Sequence, residues 1–266
     1  MKTEKITFSN AKGELLSGCL DLPGDEQPLA YALFAHCFAC SRNMDAVAHI
    51  SSALTSKRIA LLRFDYTGLG ESGGDFSATT FSSQVSDLVS AARFLEQNYQ
   101  APRLLIGQSL GGTVVLAAVS EIRSTKAVVT IAAPYHTTQL REKFGDSISQ
   151  TSQNGQANVC IRNRDFTIHQ SLLDDLEAQR PEEALKRLSA ALLVLHSPSD
   201  EVLGIDHAYK LFRDGHSPKS LIFFDQADHQ LSGESDARYA GEVIAAWAGR
   251  YIAQASQFDA YYQVTA

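Results

Sequence analysis

The sequence predicts an α/β fold: a mostly parallel, eight-stranded sheet with helices on both faces. Three observations carry this. Short, wholly apolar runs recur along the chain, as strands covered on both faces require. Between them lie stretches with apolar residues three and four apart, the spacing of an amphipathic helix. The two kinds of segment alternate, because each parallel crossover needs a covering element.

The chain begins with KITFS and ELLSGCLDLP, two strand-like runs. Asn-Ala-Lys-Gly between them predicts a hairpin, so the sheet should be mixed at that edge. YALFAHC (31–37) is the first buried strand. Met44 to Ser56 sets Val47, Ile50 and Leu54 on one helical face, and IALLRFD (59–65) returns as a strand. The glycine-dense loop YTGLGESGGDFS follows. Residues 80 to 98 carry Phe81, Val85, Leu88, Val89 and Leu95 at helix spacing, and Thr79 or Thr80 suits the N-cap. RLLIG (103–107) is a strand, LGGTVVLAAVSEI (110–122) a buried helix and AVVTIAA (127–133) a strand. ALLVLH (191–196) and SLIFFD (220–225) complete the sheet, with a helix near Asp206 to Phe212 between them. A helix over 237–254, packed through Val243, Trp247 and Ile252, closes the fold.

One segment breaks the alternation. Residues 135–189 hold no buried strand, but a polar SQTSQNGQ run, a hairpin pattern NVCIRNRDFTI and a helix-like SLLDDLEAQ. An insertion this long in a compact domain usually has a function. The expected division is therefore a core of 1–134 and 190–255, a lid of 135–189 and a tail of 256–266. Phe144, Ile148, Phe166 and Leu172 are expected in the lid's own core.

Composition narrows the function. Hydrophobic residues make up 44% and charged residues 20% of the 266, an ordinary globular balance. A net charge of −7 with no Lys/Arg cluster argues against nucleic acid as partner. No run approaches the ~18 apolar residues of a membrane span, and MKTEKITFSN lacks a secretory apolar region. Cys19, Cys37, Cys40 and Cys160 do not read as a disulfide framework, so a cytoplasmic protein is expected. Cys37-Phe-Ala-Cys40 is formally C-x-x-C. With no second cysteine pair to complete a tetrahedral metal site, it reads as two small loop residues, with redox chemistry as the alternative.

The chemistry concentrates at Gly-Gln-Ser-Leu-Gly (107–111), between a predicted strand and a predicted helix. In that context a G-x-S-x-G match marks a nucleophile. The turn forces positive φ on Ser109, and Gly107 and Gly111 let strand and helix pass closely. Ser109 then sits at a helix N-terminus, where N–H groups and the dipole favour negative charge. A serine hydroxyl needs a base, and in an open parallel sheet the partners lie at strand carboxyl ends. Asp200 follows ALLVLH and His229 follows SLIFFD, in the order Ser, Asp, His. Asp225 and Asp228 are rivals for the acid; His36 and His196 also end strands.

Here the chain resembles the α/β-hydrolase family from about Lys5 to Tyr251, on GQSLGG, RFDYTGLGES, LLVLHSPSDEV and DQADHQL. HCFACS, GGDF and HSPSD also resemble the hydrolase half of bacterial proteins that carry an osmotically-inducible-protein-C-like domain, which would attach after Tyr251. The resemblance implies Ser109 as nucleophile, His229 as general base, Asp200 as its orienting acid, and an oxyanion hole from the N–H groups of Leu110 and Phe38. It reads the loop of Asp65, Gly68, Gly70 and Ser72 as structural. Relatives usually read His-Gly-x where this chain has His36-Cys37-Phe38. Either positive φ is not needed at Cys37, or the hole is shifted. Gln108 stands where many relatives have histidine. The expected function is hydrolysis of carboxylic esters with small to medium acyl chains, with no metal or cofactor, on a small-molecule substrate, by a monomer or homodimer. The alternatives are a thioesterase, amidase or acyltransferase using the same residues, or a non-catalytic binding module.

Overall fold

The computed structural model describes residues 1–24, 26–138, 155–161 and 163–253, with residues 140, 144 and 151. Its strands are β1 (Lys2–Ser9), β2 (Leu15–Leu22), β3 (Ala30–Ala35), β4 (Ile59–Phe64), β5 (Leu104–Gln108), β6 (Ala127–Ile131), β7 (Gln156–Ile161), β8 (Arg164–His169), β9 (Ala191–His196) and β10 (Lys219–Phe223). Eight of them form one sheet in the order β1-β2-β4-β3-β5-β6-β9-β10. β1 pairs with β2, and β2 with β4, antiparallel; every other pairing in this sheet is parallel. The mixed edge thus falls at the opening hairpin, as the Asn-Ala-Lys-Gly turn predicts.

The helices are α1 (Asp45–Ser56), α2 (Phe81–Asn98), α3 (Leu110–Ala118), α4 (Gln170–Ala178), α5 (Pro181–Lys186), α6 (Asp206–Asp214) and α7 (Glu234–Ile252). Side chains alternate across the pleat, so each central strand feeds two cores. From β3 and β4, Leu33, Ala35, Leu62 and Phe64 pack with Leu88 of α2 and Val114 of α3. Ala32, Phe34, Ile59 and Leu61 pack on the opposite face with Ile50 of α1 and Ile244 of α7. Thr80 caps α2 in a reciprocal box: its hydroxyl accepts from the Ser83 N–H at 3.2 Å, and the Ser83 hydroxyl accepts from the Thr80 N–H at 2.8 Å.

The closing helix packs on the core through the expected Val243, Trp247 and Ile252, and through smaller residues as well. Ile252 is buried, but Val243 and Trp247 are only partly so. The buried face is the small-residue stripe of Ala237, Ala240, Gly241, Ala245 and Ala248, with Ile244. It brings α7 so close to α1 that a Cβ on Gly241 would stand 2.7 Å from Ala53 Cβ.

Between β6 and β9, β7 and β8 form an antiparallel hairpin over the NVCIRNRDFTI pattern, and α4 covers the SLLDDLEAQ pattern. Phe166 is partly buried there, while Phe144 and Leu172 are buried. The six-residue α5 has too few turns to show a period; Pro181 opens it, where a missing N–H costs nothing. Asp175 ties α4 to α2, accepting from the Ser82 N–H at 2.7 Å and hydroxyl at 2.8 Å. Ile148, most of SQTSQNGQ and residues 256–266 lie outside the described residues. No helix among the described residues is long and apolar enough to cross a membrane.

Candidate active site

The parallel strands all end on one rim, and the chemically distinctive residues gather there. β5 ends at Gln108, and α3 begins at Leu110 with no connecting loop. Ser109 absorbs the whole reversal, at φ +53° and ψ −126°. Its N–H donates to the Ile131 carbonyl at 2.8 Å, which holds the corner on β6. The flanking glycines are steric necessities. A Cβ on Gly107 would run into the Gly111 carbonyl, and one on Gly111 into the Ala35 carbonyl of β3.

His229 lies in the loop after β10. Its Nε2 is 3.0 Å from Ser109 Oγ and its Nδ1 is 2.8 Å from Asp200 Oδ2. An ionised carboxylate only accepts, so Nδ1 carries the proton and Nε2 is free to accept from the serine hydroxyl. Asp200 follows β9, and its carboxylate is fully enclosed. Oδ1 accepts from the N–H groups of Val202 at 2.8 Å and Leu203 at 2.9 Å. Burial pushes the Asp200 carboxyl up, but hydrogen bonds from His229, Leu203 and Val202 outweigh it and hold it below the usual range.

The rivals have other work. Asp225 and Asp228 are exposed. Asp228 accepts from the N–H groups of Gln230 at 3.0 Å and Ser232 at 2.8 Å, shaping the turn that carries His229. His36 and His196 are buried, with ring nitrogens on the carbonyls of Cys37 at 2.8 Å and Leu203 at 2.9 Å. Asp225 and Asp228 thus stand outside the Ser109–His229–Asp200 chain, as does His36. His196 Nε2 also approaches Asp200 Oδ2, at 3.6 Å.

The loop after β3 forms the other side of the rim. Cys37 and Cys40 are joined by a disulfide, while Cys19 and Cys160 are free. The reading of Cys37-Phe-Ala-Cys40 as two small loop residues is corrected here: the two sulfurs are bonded, in a local link across three positions that is no framework. The Cys40 N–H donates to the Cys37 carbonyl at 3.2 Å, closing a tight turn. Positive φ falls at Ala39 (+56°) rather than Cys37, so the residue that replaces glycine needs no left-handed backbone. The Phe38 N–H makes no backbone hydrogen bond among the described residues. The Leu110 N–H, in the first turn of α3, has no partner within its helix.

Arg42 anchors this loop and was not singled out by sequence reasoning. Its side chain is only 2% exposed. Its N–H donates to Asp65 Oδ1 at 2.7 Å, its guanidinium pairs with the other Asp65 oxygen, and a second nitrogen reaches Glu71 at 2.5 Å. The Arg42 carbonyl accepts from Arg63 at 3.0 Å, and Arg63 pairs with buried Asp21 at 2.7 Å. A Cβ on Gly70 would strike the Asp65 carboxylate, so the glycine leaves room for the ion pair.

Ser109 and His229 open into a cavity of about 400 Å³, walled by Phe38, Leu140, Phe144, Val159, Ile161 and Val202. Ring contacts continue outward, with Phe38 to Phe144 at 5.9 Å, Phe38 to Phe76 at 5.4 Å and Phe76 to Phe166 at 4.8 Å. A cleft of equal volume lies along α3 and α5, but it contains none of Ser109, Asp200 and His229. Among the described residues no cluster of His, Cys, Asp and Glu could hold a metal ion.

Comparison with known proteins agrees with this architecture. The family model described as serine aminopeptidase, S33, matches residues 27–154. The esterase domain of a Rhodothermus marinus protein is 45% identical, superposes with a TM-score of 0.79, and covers 95% of this chain and 100% of its own. Protein YfhR of Salmonella typhi is 29% identical over 232 residues, 86% of this chain and 75% of that protein. The mitochondrial palmitoyl-protein thioesterase ABHD10 of Mus musculus is 26% identical over 184 residues, 66% of this chain and 61% of that protein. With the mixed eight-stranded sheet and the strand-to-helix corner at Ser109, these likenesses establish that the chain belongs to the α/β-hydrolase family.

Proposed function

We propose that the protein hydrolyses carboxylic esters through an acyl-enzyme on Ser109. The observation that carries this is one imidazole bridging two groups: His229 accepts from Ser109 at 3.0 Å and donates to Asp200 at 2.8 Å. In this reading His229 removes the hydroxyl proton as Ser109 attacks the ester carbonyl carbon. Asp200, held ionised, fixes the tautomer and stabilises the imidazolium. The negative oxygen of the tetrahedral intermediate lies against the N–H groups of Leu110 and Phe38. His229 then protonates the departing alcohol, and it activates the water that frees the acyl group. Residues 135–189 act as a lid, with Phe144, Val159 and Ile161 closing the acyl pocket. The apolar walls suit small to medium acyl chains, and the 45% identical esterase domain supports an ester as substrate.

A thioester is the second reading, favoured by the likeness to a thioesterase. The same attack serves both, since only the leaving atom differs. A p-nitrophenyl ester series, from acetyl to long acyl chains, tests the proposal on wild type and Ser109→Ala. Wild type should turn over esters with a chain-length optimum, and the variant should lose about 10⁶-fold. Activity on thioesters alone would move the assignment to the second reading. No labelling by a fluorophosphonate would point to a binding module.

A further inference from the structure

The disulfide stands where fold stability has least use for it. A cross-link stabilises mainly by closing loops in the unfolded chain, and the gain grows with loop length. Cys37 and Cys40 are only three positions apart, so the link constrains little of the unfolded ensemble. What it does constrain is Phe38 and Ala39. Ala39 is held at positive φ, which an alanine adopts only when its surroundings force it. Phe38 carries the N–H assigned to the oxyanion and also forms a wall of the pocket.

Both ends of this tetrapeptide are fixed by groups that do not change. On one side His36 holds the Cys37 carbonyl at 2.8 Å. On the other, Arg42 is locked to Asp65 and Glu71. The sulfur–sulfur bond is the adjustable member. Both cysteines are buried, but Cys37 lines the cavity shared by Ser109 and His229, which gives a small reagent its way in.

We propose that Cys37–Cys40 is a reversible redox site whose state sets how firmly Phe38 is held, with the disulfide form the faster hydrolase. The co-reactant is a dithiol small enough to enter the pocket. Its thiolate attacks Cys37 Sγ, the bond to Cys40 breaks, and Cys40 leaves as a thiolate. The second thiol of the reagent then attacks the mixed disulfide and releases Cys37. Two electrons and two protons pass to the protein cysteines, and the reagent departs as its own cyclic disulfide. Without the link Ala39 relaxes from its forced conformation, and the Phe38 N–H loses its fixed direction. The kinetic consequence rests on the esterase proposal; the redox chemistry does not.

The test equilibrates the full chain in dithiothreitol at graded ratios of reduced to oxidised reagent, then removes the reagent without oxygen. Iodoacetamide labelling after denaturation should count two free thiols, Cys19 and Cys160, in the oxidised protein and four in the reduced one. Losing an oxyanion donor costs about 10²–10³ in rate. Loosening one should lower kcat by at least about tenfold, with KM within twofold, and reoxidation should restore it. Cys37→Ser with Cys40→Ser should sit at the reduced rate and ignore the dithiol. Amide exchange at Cys40, whose N–H closes the turn around Phe38 on the Cys37 carbonyl, should quicken on reduction while the sheet stays protected. Four labelled cysteines in the protein before any dithiol, or full reduction with kcat and Cys40 exchange unchanged, overturns the proposal. If neither form hydrolyses esters, the esterase reading fails, and the thiol count and Cys40 exchange still decide this one.

Discussion

The two sides of the site are made rigid by different means. On the side proposed for acid–base chemistry, Asp200 and His229 sit in loops after adjacent strands, and neutral backbone N–H groups orient them. On the side proposed to hold the oxyanion, a four-residue turn is held by a disulfide and by a buried arginine–carboxylate pair. Each choice suits the task. A base must change charge during turnover, so its partners are dipoles and one carboxylate that tolerate both states. The groups facing an oxyanion should not move at all, and a bond plus an ion pair supply that. The comparison also separates the failure modes: breaking the first side alters proton transfer, and breaking the second alters geometry and stability.

After Ser109→Ala, the largest effect is expected from Asp200→Asn. The acid–base side should lose about 10⁴-fold in kcat, since the imidazole is then held in the wrong tautomer. Circular dichroism should show the fold intact. Next comes Arg42→Met, which leaves Asp65 enclosed without its counter-charge. Stripping one partner from a buried pair costs about 3–5 kcal/mol, read as a lowered midpoint in urea. Asp65→Asn added to Arg42→Met should recover part of this, whereas purely local damage at Arg42 would leave the double variant no better. If the two sides are independent, Asp200→Asn and Arg42→Met should combine additively in stability within about 0.5 kcal/mol.

The smallest effect is one of pH. The folded Asp200 carboxyl lies below its unfolded value, which is about 3.9. Its stabilising contribution is therefore complete above that pH and fades as pH falls through the folded value. Melting of wild type and Asp200→Asn should differ at pH 7, and the gap should narrow below pH ~3.9. A gap that widens in acid would reverse the sign and remove the assigned charge.

The sequence makes the parallel sheet legible because apolar runs and turn residues are local signals. The rim positions of Ser109, Asp200 and His229 follow from motif order and strand ends. Arg42 is invisible for a physical reason. Nothing nearby marks it as buried, and its partner Asp65 lies across a strand crossing on another loop. The disulfide is missed because C-x-x-C spacing alone does not say whether the backbone turns tightly enough to bring two sulfurs together. The face of α7 is legible only in part, because bulk marks Val243, Trp247 and Ile252 while most of the fully buried stripe is small. Its neighbour α1 instead demands small residues, and the larger Val243 and Trp247 are displaced to the flank.

The corner at Ser109 turns sheet register into an alignment scale. Ser109 leans on Ile131 of β6; Ile131 is level with Leu195 of β9; and His196, one residue on, is level with Phe223 of β10. The strand ends that carry Ser109, Asp200 and His229 thus hang from one continuous ladder and are set level in whole peptide steps. One residue gained or lost in β6 would offset the corner from the other two by about 3.3 Å, longer than the 3.0 Å contact it must keep. The tolerance of the chemistry is finer than the smallest error the scaffold can make, so insertions within β6 should be all-or-none.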